Sequence, residues 1–245
     1  MYIIEGNIGA GKSTFLKLLQ QRIPALSIAL EPVENWQNSD GGQSLLANFY
    51  QDPRRWAYTF ETLTLMSRVR EMQQQYGHTA NQLVERSIYS GYYCFAKNGY
   101  EQGFMAEVEW QVYSQWFDFL VRNAGMMPTG FIYLRISPEV AFERIKKRNR
   151  NAETGISLEY LQQIHEKHER FLVQKKDALP HVHKVSVLIL ECDQDFETNS
   201  ELLEQHCHAV QMFLQKTQPT FKPAVIDEML LRENLFASHV ETIQE

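Results

Sequence analysis

A glycine-rich octapeptide near the amino terminus constrains the fold of this chain more than any other feature. Residues 6–13 read Gly-Asn-Ile-Gly-Ala-Gly-Lys-Ser and fit the pattern G-x-x-x-x-G-K-[ST]. An apolar run before the motif favours a buried strand, and the residues after it favour a helix. In this setting backbone N–H groups and the positive helix end surround phosphate oxygens, Lys12 reaches the terminal phosphates and Ser13 can bind Mg²⁺. The residues predicted to bind phosphate here are Gly6, Asn7, Ile8, Gly9, Ala10, Gly11, Lys12, Ser13 and Thr14.

Short apolar runs alternate along the chain with longer segments of helical periodicity. Strands separated by helices form a parallel sheet with helices on both faces, so the sequence predicts a five-stranded α/β fold. Ligands of such sheets bind outside the carboxyl ends of the strands. We expect one domain over 1–216 and a tail of unknown role over 217–245. The predicted strands are 2–4, 26–30, 83–84, 131–136 and 185–190, and the predicted helices are 12–21, 53–75, 88–97, 106–123, 138–147, 158–176 and 200–215.

The composition of the chain argues against several classes of protein. Of its 245 residues 44% are hydrophobic, which is too high a fraction for a disordered chain. No apolar run reaches the roughly 18 residues of a membrane span. The formal net charge of -6 argues against a protein that binds nucleic acid through its phosphates. We therefore expect neither a membrane nor a nucleic acid as a partner.

The cysteines indicate a reducing compartment. Cys94, Cys192 and Cys207 are scattered and odd in number, which favours neither a disulfide framework nor a metal site. No targeting segment precedes the first predicted strand, which begins at Tyr2. We therefore expect a cytoplasmic protein.

Basic residues cluster at 144–150, after a predicted strand and helix. Arg144 and Arg148 share one helix face because they lie four residues apart, and Arg150 follows. This composition is typical of a mobile lid whose arginines neutralise a phosphoryl group during transfer. The alternative is a solvated basic helix end that the helix dipole stabilises. Because the chain lacks the N-K-x-D motif of GTPases, its length and its arginine cluster favour a small-molecule kinase.

Two carboxylates stand directly after predicted strands. Glu31 follows the second strand, while Glu85 follows the third strand and precedes Arg86. Singly, each acid is better explained as a surface residue, but their matched placement favours a site at the edge where parallel strands end. One carboxylate can orient an acceptor hydroxyl or take its proton, and the other can hold Mg²⁺ through water. Arg86 can bridge a phosphate and a carboxylate.

Taken together, these motifs resemble those of the deoxyribonucleoside kinases, the family of the deoxycytidine, deoxyguanosine and mitochondrial thymidine kinases. The resemblance is closest to the deoxycytidine and deoxyguanosine branch. It implies a P-loop kinase fold with an arginine-rich lid and covers about residues 2–215. The matching strings, in the family's order, are 4–14, 31–33, 55–56, 67–70, 85–90 and 155–161.

The resemblance implies a role for each matching residue on the acceptor side. Glu31 matches the family's base near the 5′-hydroxyl group, and Arg86 matches the arginine that steadies this hydroxyl and the incoming phosphate. Glu85 lies on the Mg²⁺ side, with Ser13. The expected nucleoside contacts also include Tyr50 and Glu153 at the 3′-hydroxyl group and Trp36, Phe60 and Phe95 around the base.

On the donor side, the resemblance implies ATP, bound with Mg²⁺ as the cofactor. The phosphate loop fits UTP as well, so the choice between these donors stays open. The expected donor contacts beyond the loop are the lid residues Arg144, Arg148 and Arg150, and Asp195 and Phe196 beside the donor's adenine.

Two positions depart from the family's pattern. Glu61 stands where the family has a glutamine that reads the base edge, and Gly91 stands where the parent branch has an aspartate that pairs with the arginine matching Arg68. A glutamine both donates and accepts hydrogen bonds, whereas an ionised carboxylate only accepts. Glu61 and Arg68 lie two turns apart on one predicted helix, about 10 Å along its axis, a distance that their long side chains could nearly span. We therefore hypothesise that Glu61 becomes the counter-charge of Arg68 and reads donor groups on the base. Alternatively, Glu61 is protonated or turned aside and the specificity resembles that of the parent branch.

The aromatic stretch at 110–120 holds more large apolar side chains than one helix face needs. It suits a core or a helix–helix interface between subunits. Because members of the resembled family pair subunits through such helices, we expect a homodimer through the helices near 88–98 and 105–124.

The function favoured by these residues is transfer of the γ-phosphate of ATP to the 5′-hydroxyl group of a deoxyribonucleoside. A nucleoside monophosphate kinase is one alternative, but it needs a further basic site, and Glu31 and Glu153 argue against it. The other alternative is a non-catalytic structural subunit of the same fold. The presence of Lys12, Ser13, Glu31 and Arg86 argues against it. The preferred base stays open.

Overall fold

Five parallel strands form the sheet of the computed structural model, which describes residues 1–33, 36, 44–75, 82–123, 127–176 and 178–217. The strands are β1 (Tyr2–Gly6), β2 (Ser27–Ala29), β3 (Gln82–Glu85), β4 (Gly130–Arg135) and β5 (Ser186–Glu191). Their order across the sheet is β2-β3-β1-β4-β5, and every neighbouring pair is parallel. The predicted five-stranded parallel sheet is confirmed, with small differences at the strand ends.

Helices occupy the connections between the strands. They are α1 (Lys12–Arg22), α2 (Leu45–Gln51), α3 (Pro53–Gln75), α5 (Glu107–Asn123), α6 (Pro138–Arg148), α8 (Pro180–His183) and α9 (Ser200–Thr217). Two further helices change type along their length. Helix α4 begins as Ile88–Ser90, continues as a π-helix over Gly91–Ala96 and ends as Lys97–Glu101, and α7 (Leu158–His168) continues as a π-helix over Glu169–Val173. Helix α2 and the two π-helical segments were not predicted from the sequence.

Alternate residues of β1 pack into two separate hydrophobic cores, one on each face of the sheet, as the period of two of a strand requires. Ile3 packs with residues of α3, α4 and α5, such as Phe117. Tyr2 and Ile4 pack on the opposite face with residues of α1, α6 and α9, such as Phe15. Both faces of β1 are therefore buried, which explains why its sequence is a continuous apolar run.

The segment 88–98, predicted to pair subunits, lies inside the subunit instead. Ile88, Tyr89 and Cys94 are fully buried, and no residue of this segment is exposed. The segment contributes to the core beside the sheet, which does not favour pairing of subunits through it, and its role in a homodimer stays a prediction. The predicted tail lies outside the described residues except for Thr217, the last residue of α9. Within the part of the chain that is described, no helix has the length and apolar character needed to cross a membrane.

Two methionines, one buried and one exposed, test which side chains belong to the core. Met72 on α3 is 2% exposed, whereas Met212 on α9 is 53% exposed. We expect Met72→Ala to lower the free energy of unfolding by about 2–5 kcal/mol, because it leaves a cavity. Met212→Ala should change it by less than about 0.5 kcal/mol. Urea unfolding followed by circular dichroism measures both, and equal losses would contradict the burial of Met72.

Candidate active site

A cleft of about 450 Å³ opens where β1, β2 and β3 end. The phosphate loop forms one end of the cleft, and aromatic side chains form the other. This is the edge of the sheet at which ligands of parallel α/β folds bind. The predicted site residues that line the cleft are Ile8, Gly9, Lys12, Ser13, Glu31, Trp36, Tyr50, Phe60, Glu61, Arg68, Glu85, Arg86, Phe95, Arg148, Arg150 and Glu153.

The conformation of the phosphate loop requires glycine at Gly9 and Gly11, where the φ angle is positive. The φ angle is 82° at Gly9 and 85° at Gly11, a region that other residues rarely adopt. A Cβ atom on Gly9 would also lie 2.7 Å from the carbonyl oxygen of Ala141. The loop is closed by Asn7, whose side-chain amide donates to the carbonyl oxygen of Leu161 over 2.8 Å. Gly6, Asn7, Ala10, Gly11 and Thr14 thus belong to the loop and the start of α1 without lining the cleft.

The Lys12 ammonium group folds back onto the loop. It donates to the carbonyl oxygens of Gly6 and Asn7 over 3.2 and 2.9 Å. Burial, and to a lesser degree the nearby Arg86 guanidinium group, lowers the pKa of Lys12 to about 7. An anion beside a buried ammonium group favours its charged form. A bound phosphate would therefore raise the pKa of Lys12 and strengthen its own binding.

A buried carboxylate between two guanidinium groups lies at the centre of the cleft. Oε1 of Glu31 accepts from Nη2 and Nε of Arg68 over 2.6 and 3.2 Å, and Oε2 accepts from Nε of Arg86 over 3.0 Å. Burial alone would raise the pKa of Glu31, but the charges of Arg68 and Arg86 outweigh it and hold this pKa below its ordinary value. The direct ion pair predicted between Glu61 and Arg68 is not formed, because Glu31 reaches Arg68 from the end of β2, although the charge of Glu61 also acts on Arg68. The reading of the base by Glu61 stays a prediction.

Arg86 connects this carboxylate to the phosphate loop. Its backbone has a φ angle of 64°, and its N–H group donates to the carbonyl oxygen of Ile4 over 2.9 Å. Its Nη1 atom donates to the carbonyl oxygen of Gly6 over 3.1 Å, and its guanidinium group lies 4.7 Å from the ring centre of Phe95. A non-glycine residue in this backbone region is strained and is found mainly at functional sites.

The Ser13 hydroxyl group and the Glu85 carboxylate form a set of oxygen atoms beside the phosphate loop. The hydroxyl group lies 2.8 and 2.9 Å from the two carboxylate oxygens. One of these oxygens also accepts from the backbone N–H group of Glu31 over 3.2 Å. Hydroxyl and carboxylate oxygens are the ligands that Mg²⁺ takes in proteins, so the residues present fit this ion.

Two of the three predicted lid arginines reach the mouth of the cleft. Arg148 and Arg150 both pair with Glu153, which is buried although the arginines are partly exposed. Helix α6 ends between them at Asn149, which has a φ angle of 51° and turns the chain toward the cleft. The structure does not bring Arg144 to the cleft. One turn earlier on α6, Arg144 donates instead to the carbonyl oxygens of Asp193 and Gln194.

Aromatic rings line the end of the cleft away from the phosphate loop. The rings of Trp36 and Phe60 lie 6.0 Å apart at 84°, and Phe49 stacks on Phe60 at 4.9 Å. Phe49 was missed by the sequence analysis, although it adjoins the predicted Tyr50. Tyr160, another missed residue, contacts Tyr50 edge to face, and it belongs to the matching string 155–161. Lys17, Leu46 and Thr64 also line the cleft, and no motif in the sequence pointed to them.

Two predicted residues of the donor loop occupy different environments. Phe196 is buried against Phe15 at 5.5 Å, and a Cβ atom on Gly11 would lie 2.9 Å from its ring. Phe196 thus supports the phosphate loop from below. Asp195 is exposed and accepts from the N–H group of Glu197. Contact of this loop with a donor base stays a prediction.

Glu61 is a fourth buried acid of the cleft, beside Glu31, Glu85 and Glu153, but no arginine side chain forms an ion pair with it among the described residues. It is 3% exposed, and burial raises its pKa to about 7, although the charge of Arg68 acts in the opposite direction. Glu5, on β1 behind the cleft, is also fully buried and accepts from the Ser87 hydroxyl group over 2.6 Å. Burial likewise raises the pKa of Glu5.

The stability of the protein toward acid tests the ion pairs of Glu31. Its pKa is lower folded than the 4.5 of the unfolded chain, so its stabilising effect is complete above about pH 4.5 and is lost as the pH falls through the folded value. At pH 7, Glu31→Gln should cost about 3–5 kcal/mol, because two buried cations lose their partner. Urea unfolding at pH 7 and pH 3.5 should show a smaller difference from wild type in acid. A difference that is the same at both pH values would contradict the lowered pKa.

Comparison with known proteins identifies the family. A family model described as deoxynucleoside kinase matches residues 2–215. Deoxyguanosine kinase, mitochondrial, of Xenopus laevis is 36% identical, with 86% of this chain and 88% of that protein covered. Deoxycytidine kinase of Homo sapiens is 36% identical (82% and 86% covered), and thymidine kinase 2, mitochondrial, of Homo sapiens is 38% identical (83% and 74% covered). The chain therefore belongs to the deoxynucleoside kinase family.

Proposed function

We propose that this protein transfers the γ-phosphate of ATP to the 5′-hydroxyl group of a deoxyribonucleoside. The observation that carries the proposal is the position of Glu31. Its carboxylate lies between Arg68 and Arg86, with the phosphate loop on one side and the aromatic end of the cleft on the other. A nucleoside whose base lies among the aromatic rings would present its 5′ end to Glu31. The activities named for the relatives support the same reaction.

Glu31 orients the acceptor and receives its proton. Because two arginines lower its pKa, this carboxylate stays ionised at neutral pH and is a weak base. Phosphoryl transfer passes through a loose transition state, in which the acceptor proton leaves late, so a weak base is sufficient. The main contribution of Glu31 is then to hold the hydroxyl group in line with the transferring phosphorus atom.

Cations from three elements surround the place of the transferring group. Lys12 begins α1, Arg86 follows β3, and Arg148 and Arg150 lie at and just after the end of α6. Fixed positive charges neutralise the charge on the phosphoryl oxygens without reorganising during the reaction. In this proposal the Glu153 carboxylate and Tyr50 hold the 3′-hydroxyl group of the sugar, which is the role that the resemblance implies.

Magnesium is part of the proposal. Ser13 and Glu85 would hold the ion, Glu85 through water, and the ion supplies charge neutralisation between the donor phosphates. Removal of divalent cations with EDTA should abolish turnover, and added Mg²⁺ should restore it.

An ATP-consumption assay with the four deoxynucleosides and their four monophosphates tests this function. We expect turnover with at least one deoxynucleoside and none with the 5′-monophosphates, because a 5′-monophosphate has no free 5′-hydroxyl group to act as the acceptor. Turnover of monophosphates alone would favour the nucleoside monophosphate kinase, and no turnover at all would favour a structural subunit.

The same assay tests the role of Glu31. Glu31→Gln should lower kcat by about 10²–10⁴-fold, the range for loss of a general base. Glu204→Gln serves as the matched control, since Glu204 is an exposed acid that pairs with Arg22 away from the cleft. Equal kcat values for Glu31→Gln and the control would contradict the proposed role.

We propose, in addition, that two copies of the chain pair through α5. On this helix Val108, Val112, Trp116 and Phe119 are exposed at helical spacing, while Tyr113 and its neighbours face the core. The adjoining helix α3 also exposes the apolar side chains of Leu63 and Met66. Exposed apolar stripes of this kind are typical of contact surfaces between proteins.

Changing one residue of this stripe tests the homodimer. Trp116→Glu places a charge in the proposed interface, so the molar mass by size exclusion with light scattering should fall from that of two chains to that of one. Met212→Glu is the matched control at an equally exposed apolar position on α9 and should leave the mass unchanged. A wild-type protein of one chain's mass would refute the homodimer.

A cytoplasmic location is also proposed. Cys94, Cys192 and Cys207 are all free thiols and all buried. Free thiols are compatible with a reducing compartment. The net charge of -6 supports substrates that are small molecules rather than nucleic acids.

A further inference from the structure

Two buried polar groups beside Gly91 have no hydrogen-bond partner among the described residues. They are Nη1 of Arg68 and the hydroxyl group of Tyr113. A Cβ atom on Gly91 would lie 2.6 Å from Nη1 and 3.9 Å from the Tyr113 oxygen, so both groups flank this glycine. Because a buried donor without a partner costs folding free energy, such donors favour an acceptor supplied by a ligand.

The acid Glu61 stands on the same helix as Arg68. Glu61 and Arg68 both belong to α3 and both line the cleft, near the aromatic rings of Trp36 and Phe60. The Nε and Nη2 atoms of Arg68 donate to Glu31, which leaves Nη1 available to a ligand. Glu61 is therefore not the ion-pair partner of Arg68. An ionised carboxylate accepts hydrogen bonds only, so Glu61 calls for an N–H group on the ligand.

We propose that this enzyme selects nucleosides whose base carries an N–H group next to a carbonyl group, as guanine, thymine and uracil do. The Glu61 carboxylate accepts from the N–H group, and Nη1 of Arg68 donates to the carbonyl oxygen. If cytosine or adenine takes the same orientation, it presents an unprotonated ring nitrogen to the carboxylate and an amino group to the guanidinium group, so that neither contact forms in this orientation. This proposal rests on the proposed function, since it concerns the base of the same acceptor.

Gly91 is needed for this arrangement. Any side chain there would bring Cβ within 2.6 Å of Nη1 and push Arg68 from its position. An aspartate at this position would also supply an acceptor that neutralises Nη1 and receives an amino group. Its replacement by glycine therefore leaves the guanidinium group free to donate to a carbonyl group.

The titration of Glu61 supplies an independent signature. Burial raises its pKa to about 7, so it is a carboxylate at pH 8 and mostly protonated at pH 6. A protonated carboxyl group both donates and accepts hydrogen bonds, as glutamine does. Protonated Glu61 can therefore donate to the unprotonated ring nitrogen of cytosine. The preference for bases that carry an N–H group next to a carbonyl group, over cytosine, should therefore increase with pH. The groups that act on Glu61 from its own helix are Arg68 and Thr64, and those from other elements are Glu31, Arg86, Tyr50, Tyr113 and Tyr160.

Binding measured without a donor tests the proposal separately from turnover. Isothermal titration of the full chain with deoxyguanosine, thymidine, deoxycytidine and deoxyadenosine at pH 8 should show at least about 10-fold tighter binding of deoxyguanosine, thymidine or both. The separate titrations show which of the two bases fits. Glu61→Gln should move the ratio by about 10–100-fold toward deoxycytidine and remove its pH dependence. Glu153→Gln is the matched control, which should weaken all four nucleosides alike because it alters the sugar end.

Three results would overturn the proposal: tighter binding of deoxycytidine or deoxyadenosine by wild type at pH 8, an unchanged ratio in Glu61→Gln, or no binding of any nucleoside. If Glu61→Gln does not fold, the wild-type ratios at pH 6 and pH 8 decide, and a ratio that does not rise with pH contradicts the role of Glu61. Selective binding of deoxyguanosine or thymidine without turnover would support this inference and refute the proposed function.

Discussion

The ion pairs between Glu31 and two arginines connect four parts of the fold. Glu31 follows β2, Arg68 lies on α3, and Arg86 follows β3 and donates onward to the phosphate loop after β1. Buried ion pairs add little net stability, because desolvation offsets their attraction. Their value here is positional. Because each buried charge must stay next to its partner, the ion pairs fix the position of the acceptor end of the cleft relative to the phosphate loop.

The placement of the arginines also decides which buried acids carry a charge. Glu31 is held by two guanidinium groups and has a lowered pKa, whereas Glu5 and Glu61 lack such direct partners and have raised pKa values. Lys12, buried beside Arg86, shows the converse shift. These pKa shifts limit the charge within the cleft, and Lys12 gains its full charge when an anion binds beside it.

Much of this could be predicted from the sequence, because it depends on local pattern. Apolar runs located the five strands, and the strand–loop–helix context located the phosphate loop. Glu31 and Glu85 followed from their positions after strands. The partner of Arg68 could not be predicted in this way, since helical spacing relates it to Glu61 while the contact comes from another element. Arg144 was misassigned for the same reason: its helix face was evident, but the 193–194 loop that accepts its hydrogen bonds was not.

The π-helical turn of α4 has a consequence for how this protein tolerates change. Phe95, which lies under the Arg86 guanidinium group, belongs to the segment Gly91–Ala96. A π-helix holds about one more residue per turn than an α-helix, and each residue of an α-helix turns the chain by about 100°. Loss of one residue here would restore a regular helix and rotate Phe95 away from the cleft. The length of this segment is therefore under a stricter constraint than the identity of most of its residues.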